Sequence, residues 1–309
     1  MALMLSPNFC WTIAIALLVG VSPTSAESTY HQEIQTDREN LNKRLHSPDS
    51  LLGMMERFDV PRGQTTIGRT SESSLQLKVS NGPSHFGRAV WDGTTLIVTP
   101  AQGVTMQKAY TPDQIMLDQA RLTTTSTDRN DGVGVQIGSV ILSFTWWAKS
   151  GRLRMSVTDR EAAYIRTAPD RLWYKADTKY RVQARWVPLT PPARTKVRNT
   201  DGENVDREVV GYAEFSLEDQ IVRLSAVKQG AGLFLAFSDR TAPKETYGGG
   251  RYLYAAAPVN GFITLDFNYA VNPNCALNPN WICVLPPREN RLPIAIRAGE
   301  KNYPGLQIE

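Results

Sequence analysis

Three carboxylates in the last quarter of the sequence are the groups best suited to acid–base chemistry: Asp239, Asp266 and Glu300. Hydrolysis of a glycosidic bond requires two carboxyl groups, one that gives a proton and one that acts as base or nucleophile. Such a pair works only when the two environments separate the two pKa values. These residues are therefore candidate catalytic groups of a hydrolase, provided that the fold brings two of them to one cleft.

Side chains close to these carboxylates in the sequence could instead bind a ligand. Arg251 can hold a carboxylate through two parallel hydrogen bonds, and Asp266 or Glu300 could be its partner inside the protein. The candidate ligand-binding residues are Arg251, Asn268, Asn272, Asn290 and Lys301. An alternative is that these side chains satisfy the backbone groups of a strandless loop.

Cys275 and Cys283 are close together in the sequence, and in an exported protein two such thiols most simply form a disulfide. The alternatives are a metal site and a catalytic thiol. A zinc site needs three or four ligands. The sequence has only three histidines, all far from the cysteines in the chain. The disulfide is therefore the prediction, and no metal and no cofactor are predicted.

The short motifs that would identify an enzyme class are absent from the sequence. There is no G-x-S-x-G, no phosphate-binding Walker loop, no H-E-x-x-H and no dinucleotide-binding fingerprint. His31, His46 and His85 are scattered, and each is interpreted as a surface or hydrogen-bonded residue. The sequence leaves open whether the chain is an enzyme.

The elements that must position these groups are mostly strands. From about residue 64 onward the chain shows β-type patterns, including a long apolar run over 133–147. Asp92-Gly93 and Asp201-Gly202 are typical hairpin turns. Later strands are predicted at 209–217, 221–227, 233–237, 251–255 and 262–267. Short strands with frequent turns and no βαβ alternation predict a mainly β fold, an antiparallel sandwich or barrel.

One amphipathic helix is predicted over 29–46. Tyr30, Ile34, Leu41 and Leu45 form its apolar stripe, and the opposite face, with Glu33, Arg38, Glu39 and Lys43, is expected to be solvated. Thr29 with Gln32 predicts a capping box, and Ser47-Pro48 ends the helix. We therefore expect an N-terminal helix at 27–47 and one large β domain at 48–309, with 56–108 as a candidate β subdomain.

The first 26 residues are typical of a secretory signal peptide. The apolar run Phe9–Val21 is shorter than the roughly 20 residues that a membrane-spanning helix needs. Small residues precede a cleavage site after Ala26, although Lys and Arg are missing from the start. We expect cleavage, an extracytoplasmic (periplasmic or secreted) location and no stable membrane span afterwards. An uncleaved anchor is the alternative.

The chain carries 34 Lys and Arg against 30 Asp and Glu, and the excess is concentrated in residues 149–207. Aromatic residues lie among these basic groups, a composition that can bind nucleic acid or acidic glycans. The alternation at 180–186 instead predicts that aromatics face the core and basic residues face water. Nucleic acid is not a predicted partner.

The C-terminal part of the chain resembles a known family. It contains TYGGGRYL at 246–253, DFNYAVNPNCA at 266–276, CVLPPRENRL at 283–292 and AGEK at 298–301. These motifs resemble an uncharacterised bacterial and archaeal domain-of-unknown-function family whose members are often exported. Val271, Asn274 and Val284 depart from the family pattern. The resemblance implies a shared fold unit and candidate residues, but no reaction.

The loop over 268–290 is rich in asparagine and proline and holds both cysteines. Long polar loops in compact domains are often functional, and a disulfide would make this one an ordered cover. The leading hypothesis is a non-catalytic binding protein for a small polar or anionic ligand, with an envelope glycan as one candidate. A carboxylate-dependent hydrolase and a structural envelope protein are the alternatives, and the oligomeric state is left open.

Overall fold

The computed structural model describes residues 25–124, 131–148 and 150–305. The predicted signal peptide lies outside these residues, except for Ser25 and Ala26. Within the described part of the chain, no helix combines the length and the apolar character that crossing a bilayer requires.

Helix α1, Ser25–Leu45, confirms the predicted N-terminal helix. Tyr30, Ile34 and Leu45 are buried, as their helical spacing predicts. Thr29 lies inside the helix and not at its start, so the predicted capping box is wrong. The apolar stripe therefore predicts the helix correctly, whereas the capping residues predict the wrong starting point.

In the described part of residues 54–159, the chain forms two five-stranded sheets. One has the order β1-β10-β9-β8-β6 and the other β3-β2-β4-β5-β7. The pairs are antiparallel except for β2 with β3. The strands are β1 Met54–Asp59, β2 Gly63–Gly68, β3 Leu75–Gln76, β4 His85–Trp91, β5 Thr95–Pro100, β6 Gln107–Lys108, β7 Ala120–Thr123, β8 Asp131–Ile137, β9 Val140–Trp147 and β10 Arg152–Asp159.

The two sheets share one hydrophobic core. Phe86 and Leu96 from one sheet and Phe144 and Met155 from the other are almost completely buried in it. The predicted hairpin at Asp92-Gly93 joins β4 to β5. The candidate subdomain at 56–108 thus packs against strands that extend to residue 159.

A short helix α2, Ala163–Thr167, leads to a six-stranded antiparallel sheet in the order β15-β14-β13-β12-β11-β16. The hairpin predicted at Asp201-Gly202 joins β11 to β12. The strands are β11 Arg181–Arg198, β12 Asn204–Leu217, β13 Gln220–Gln229, β14 Gly232–Phe237, β15 Arg251–Ala255 and β16 Phe262–Asp266. The mainly β, antiparallel fold predicted from the sequence is confirmed.

The C-terminal segment 292–298 covers this sheet without forming a strand. Ile294, Ile296 and Ala298 are buried together with Leu235 and Leu253 in a second core. Its backbone bonds to other backbone groups at Leu292 and Ile294. At Ile296 and Ala298, side chains supply the hydrogen bonds. Those side chains are Asp239 and Arg251, two of the residues predicted to form the site.

Candidate functional site

Arg251, at the start of β15, is 1% exposed and binds the protein itself. One guanidinium nitrogen, Nη2, donates to Asp239 Oδ2 at 2.6 Å and to the carbonyl of Ile296 at 2.9 Å. The other, Nη1, donates to the carbonyl of Ala298 and, at 3.4 Å, to that of Glu300. The predicted ligand-binding arginine therefore holds the strandless C-terminal segment against the sheet.

Both carboxylate oxygens of Asp239 also accept hydrogen bonds from the protein. Its Oδ1 accepts from the Thr241 backbone N–H at 2.8 Å and from the Thr241 hydroxyl at 2.6 Å. The backbone N–H of Ile296 donates to the same oxygen at 3.3 Å. With Arg251 on the other oxygen and a side chain that is 1% exposed, this carboxylate has no geometry for acid–base work on a bound substrate.

Asp266 belongs to a different cluster, at the contact between α1 and the sheet. Tyr30 donates its hydroxyl proton to Asp266 Oδ2 at 2.8 Å and accepts a hydrogen bond from Asn268 Nδ2 at 2.9 Å. Asn268 also exchanges two hydrogen bonds with the backbone of Asp177. Burial, reinforced by the Asp266 carboxylate, raises the pKa of Tyr30, so the hydroxyl keeps the proton that it donates.

One expectation about α1 is wrong, because Arg38 does not lie on a fully solvated face. Predicted on a solvated face, it is half-buried and donates to the carbonyl of Tyr174 at 2.9 Å and to that of Asn268 at 3.2 Å. Its guanidinium also lies 4.8 Å from the ring centroid of Trp173. Helical periodicity identifies the apolar stripe, but it cannot show that a charged residue beside the stripe meets backbone acceptors.

Replacing Tyr30 with Phe is expected to lower the free energy of unfolding by about 1–2 kcal/mol, because it leaves the Asp266 and Asn268 side chains short of a partner. Urea unfolding followed by circular dichroism measures the change. Tyr269→Phe, in the turn Phe267–Tyr269, is the matched control. Equal losses in the two variants would show that the Tyr30 hydroxyl does not hold α1 in place.

Asn290 takes the place of a missing strand partner. In β13 only Val227–Gln229 pair with β14, and the residues of β13 that precede Val227 do not pair with it. The Asn290 amide fills this gap: its Oδ1 accepts from the backbone N–H of Ser225 at 2.8 Å. Its Nδ2 donates to the carbonyls of Ser225 and Ala236 at 2.9 and 2.8 Å. Asn290 is thus a structural residue with all its main bonding positions used.

Glu300 is completely buried beside Arg171, which donates to Glu300 Oε2 at 3.1 Å. The backbone N–H of Asn272 donates to the same oxygen at 2.8 Å. Asn272 Nδ2 donates to the carbonyl of Lys301 at 2.7 Å. Burial raises the pKa of Glu300, and the Arg171 charge partly offsets this effect. Lys301 places its ammonium 4.8 Å from the Tyr174 ring.

The three candidate carboxylates are therefore not gathered around one opening. Asp239 pairs with Arg251, Asp266 binds Tyr30, and Glu300 pairs with Arg171. Each is bonded to groups of the protein itself. The arrangement gives these residues structural contacts and does not present two of them to a substrate.

The predicted disulfide is not formed. Cys275 and Cys283 are both free, buried thiols in the described structure. The Cys275 backbone N–H donates to Cys283 Sγ at 3.2 Å, so the two residues are neighbours without a covalent bond. The loop that carries them is held by other means, since Asn278 donates to the carbonyls of Leu51 and Met54.

A cleft of about 630 Å³ opens between this loop and the sheet. It is lined by residues of β12–β15, by loop residues 271–284, by Leu41 of α1 and by Arg171. Of the predicted site residues, Asn272 and Cys283 line it. A second cleft of about 760 Å³ shares Asp206 and Arg207 with the first.

The cleft combines aromatic, basic and amide groups. Phe234 lies between Tyr252 and Tyr254, with ring centroids at 4.8 and 5.4 Å. Two exposed basic residues, Arg207 and Lys228, line the cleft as well. Asn272 Oδ1 and Arg171 Nε are buried, and neither meets a hydrogen-bond partner within the described residues.

Sequence reasoning missed most of this lining. Tyr252 stands inside one of the motifs of the resemblance, and Arg171 lies in the basic segment 149–207, but neither position alone indicates a cleft. Within the described residues, His, Cys, Asp and Glu form no group of three or more that could hold a metal ion.

Comparisons with known proteins find similarity in the part of the chain that holds these residues. Among solved structures that match is the solution NMR structure of an uncharacterised protein from Haloarcula marismortui. It is 32% identical, covers 43% of this chain and 76% of its own, and has a TM-score of 0.37. The comparison with curated proteins returned no match. A family model described as a protein of unknown function, DUF1684, matches residues 171–301. All the predicted site residues lie in this matched segment.

Proposed function

We propose that this chain is a binding protein and that the cleft takes a small polar ligand with an anionic group. The observation that carries the proposal is the pair of unpartnered polar atoms on lining residues, Asn272 Oδ1 and Arg171 Nε. A buried polar atom without a hydrogen bond costs about 1–3 kcal/mol, and a ligand that supplies the bond recovers that cost.

The two atoms require different hydrogen-bonding groups on the ligand. Arg171 Nε–H donates, so it needs an acceptor such as a carboxylate or hydroxyl oxygen. Asn272 Oδ1 accepts, so it needs a ligand hydroxyl or N–H. The lining holds three basic residues against two acidic ones, Asp206 and Glu208, and this excess of positive charge favours a ligand with negative charge.

The aromatic side of the cleft favours a ligand with an apolar face. Tyr254 is 55% exposed while its ring packs against Phe234, so it offers an accessible apolar face. A sugar acid offers an apolar ring face, several hydroxyl groups and a carboxylate. We therefore favour an acidic sugar as the ligand class, and an envelope glycan as its source if residues 1–26 direct export as proposed.

We do not favour the hydrolase, because each candidate carboxylate is engaged by protein groups. Arg251 holds Asp239, Tyr30 holds Asp266 and Arg171 holds Glu300. Neither Asp239 nor Asp266 lines the cleft.

The proposal predicts that glucuronate or galacturonate raises the melting temperature of the protein, whereas glucose and galactose do so less. A ligand present at a hundred times its Kd adds about 2.7 kcal/mol to the free energy of unfolding. Differential scanning fluorimetry against a panel of neutral, carboxylated and phosphorylated sugars measures the shift.

Two matched pairs of variants locate the binding. Tyr254→Ala and Lys228→Ala should reduce the shift, while Phe262→Ala and Lys244→Ala should keep it. Tyr254 and Phe262 are both 55% exposed, but only Tyr254 lines the cleft. A shift that survives in Tyr254→Ala and Lys228→Ala would place the ligand elsewhere. No shift with any acidic sugar would count against the proposed ligand class.

A further inference from the structure

The binding proposal assigns no role to the two free thiols near the cleft, Cys275 and Cys283. Cys283 lines the cleft, whereas Cys275 does not. Cys275 belongs to the one-turn helix Asn274–Ala276, and its backbone N–H donates to Cys283 Sγ at 3.2 Å. Of two buried neighbouring thiols, one thus belongs to a residue that lines the cleft, and the other does not.

The backbone holds this arrangement from both sides. The Cys283 N–H donates to the Thr200 hydroxyl at 3.0 Å, and its carbonyl accepts from the Thr200 N–H at 2.9 Å. On the other side, the Tyr247 hydroxyl donates to Cys275 Sγ at 3.8 Å. The Cys283 backbone and the Cys275 sulfur therefore each have a defined partner.

We propose that Cys283 is a reactive thiol of the cleft and that Cys275 is its resolving partner, so that the pair undergoes thiol–disulfide exchange with a low-molecular-weight disulfide. This reaction is independent of the ligand proposed above, because it needs only access of a disulfide to Cys283.

The electrostatics agree with these two roles. The hydrogen bond from the Cys275 thiol, with the Cys275 backbone N–H, the Tyr252 hydroxyl and the Arg57 charge, holds the pKa of Cys283 below that of a free thiol. The same interaction and burial raise the pKa of Cys275. Because the thiolate is the nucleophile, Cys283 attacks first and Cys275 keeps its proton until the second step.

The exchange balances with glutathione disulfide as co-reactant. Cys283 thiolate attacks one sulfur of the disulfide, which forms a mixed disulfide and releases one glutathione thiolate. Cys275 then loses its proton to solvent and attacks Cys283 Sγ, which forms the Cys275–Cys283 bond and releases the second glutathione. The two protein thiols are oxidised, and glutathione disulfide is reduced to two thiols.

The test uses the full chain in a Cys10→Ser background, reduced beforehand and then mixed with glutathione disulfide. Mass spectrometry should find the Cys275–Cys283 bond in the parent and a stable Cys283–glutathione adduct in Cys275→Ser. Cys283→Ser should react on the order of tenfold more slowly, as expected when the lower-pKa thiol is lost.

Limited alkylation of the reduced chain with both cysteines present keeps the test independent of whether the serine variants fold. Iodoacetamide below one equivalent should modify Cys283 before Cys275, as located by peptide fragmentation. Labelling of Cys275 first, or no glutathione adduct in Cys275→Ser when the urea-unfolded variant forms one, would overturn the proposal.

Discussion

Replacing Arg251 with Met is expected to lower the free energy of unfolding by about 3–5 kcal/mol, because removing one partner leaves a buried charge without compensation. Arg251 and Asp239 both have side chains that are 1% exposed, and their contact is 2.6 Å. The variant also loses donors to the carbonyls of Ile296 and Ala298. Urea unfolding monitored by circular dichroism and tryptophan fluorescence measures the loss.

The control is Arg240→Met, which removes an exposed arginine next to Asp239 in the sequence and should change stability by about 0.5 kcal/mol or less. Adding Asp239→Asn to Arg251→Met should recover part of the loss, because it removes the uncompensated charge. A loss in Arg251→Met no larger than that in Arg240→Met would show that the guanidinium does not hold the C-terminal segment.

The strands of the six-stranded sheet could be predicted closely from local sequence. The predicted runs 251–255 and 262–267 correspond to β15 and β16 almost to the residue. Each of these strands begins directly after a glycine with positive φ, Gly250 at +86° and Gly261 at +79°, a conformation that glycine adopts readily. In the basic segment, Tyr180 and Ala184 are buried while Arg181 and Arg185 are exposed, as the alternation predicts.

Local pattern was less informative where one run holds two elements. The apolar run 133–147 contains the end of β8, a turn and all of β9. The turn occurs at Gly138, whose φ of +61° lies in the left-handed region that glycine adopts readily. Hydrophobicity alone does not show this reversal, because both strands are buried.

The arrangement of the candidate residues could not be predicted from the sequence. They fall into separate groups, and their roles depend on partners far away in the chain. Asp266 meets Tyr30 of α1, and Glu300 meets Arg171. Sequence separation of this kind leaves no periodic signal, so a structural arginine and a ligand-binding arginine look the same in the sequence.

The pKa of Glu300 depends on its burial and on its distant partner Arg171. Its carboxylate is completely buried, so its charged form loses most of its hydration. Arg171 and the Asn272 N–H stabilise the charged form but offset only part of this desolvation cost. The pKa of Glu300 in the folded protein therefore stays above its usual value. In the unfolded chain the group titrates near its ordinary pKa of about 4.3.

The wild-type protein is therefore expected to lose stability, relative to Glu300→Gln, as the pH rises from about 4.3 through the raised pKa. In this window the folded state keeps the proton and the unfolded state releases it, so rising pH favours unfolding. The difference in free energy of unfolding should change by up to about 1.4 kcal/mol per pH unit. Below the window, protonation in both states removes this dependence.

Urea unfolding of both proteins across the pH range measures this difference. Gln keeps an oxygen for the Arg171 and Asn272 donors, so the variant tests the charge rather than the shape of the side chain. Glu289→Gln, at an exposed position, should follow the parent at every pH. If instead the parent gained stability over Glu300→Gln as the pH rose, Arg171 would outweigh burial and the pKa of Glu300 would lie below its usual value.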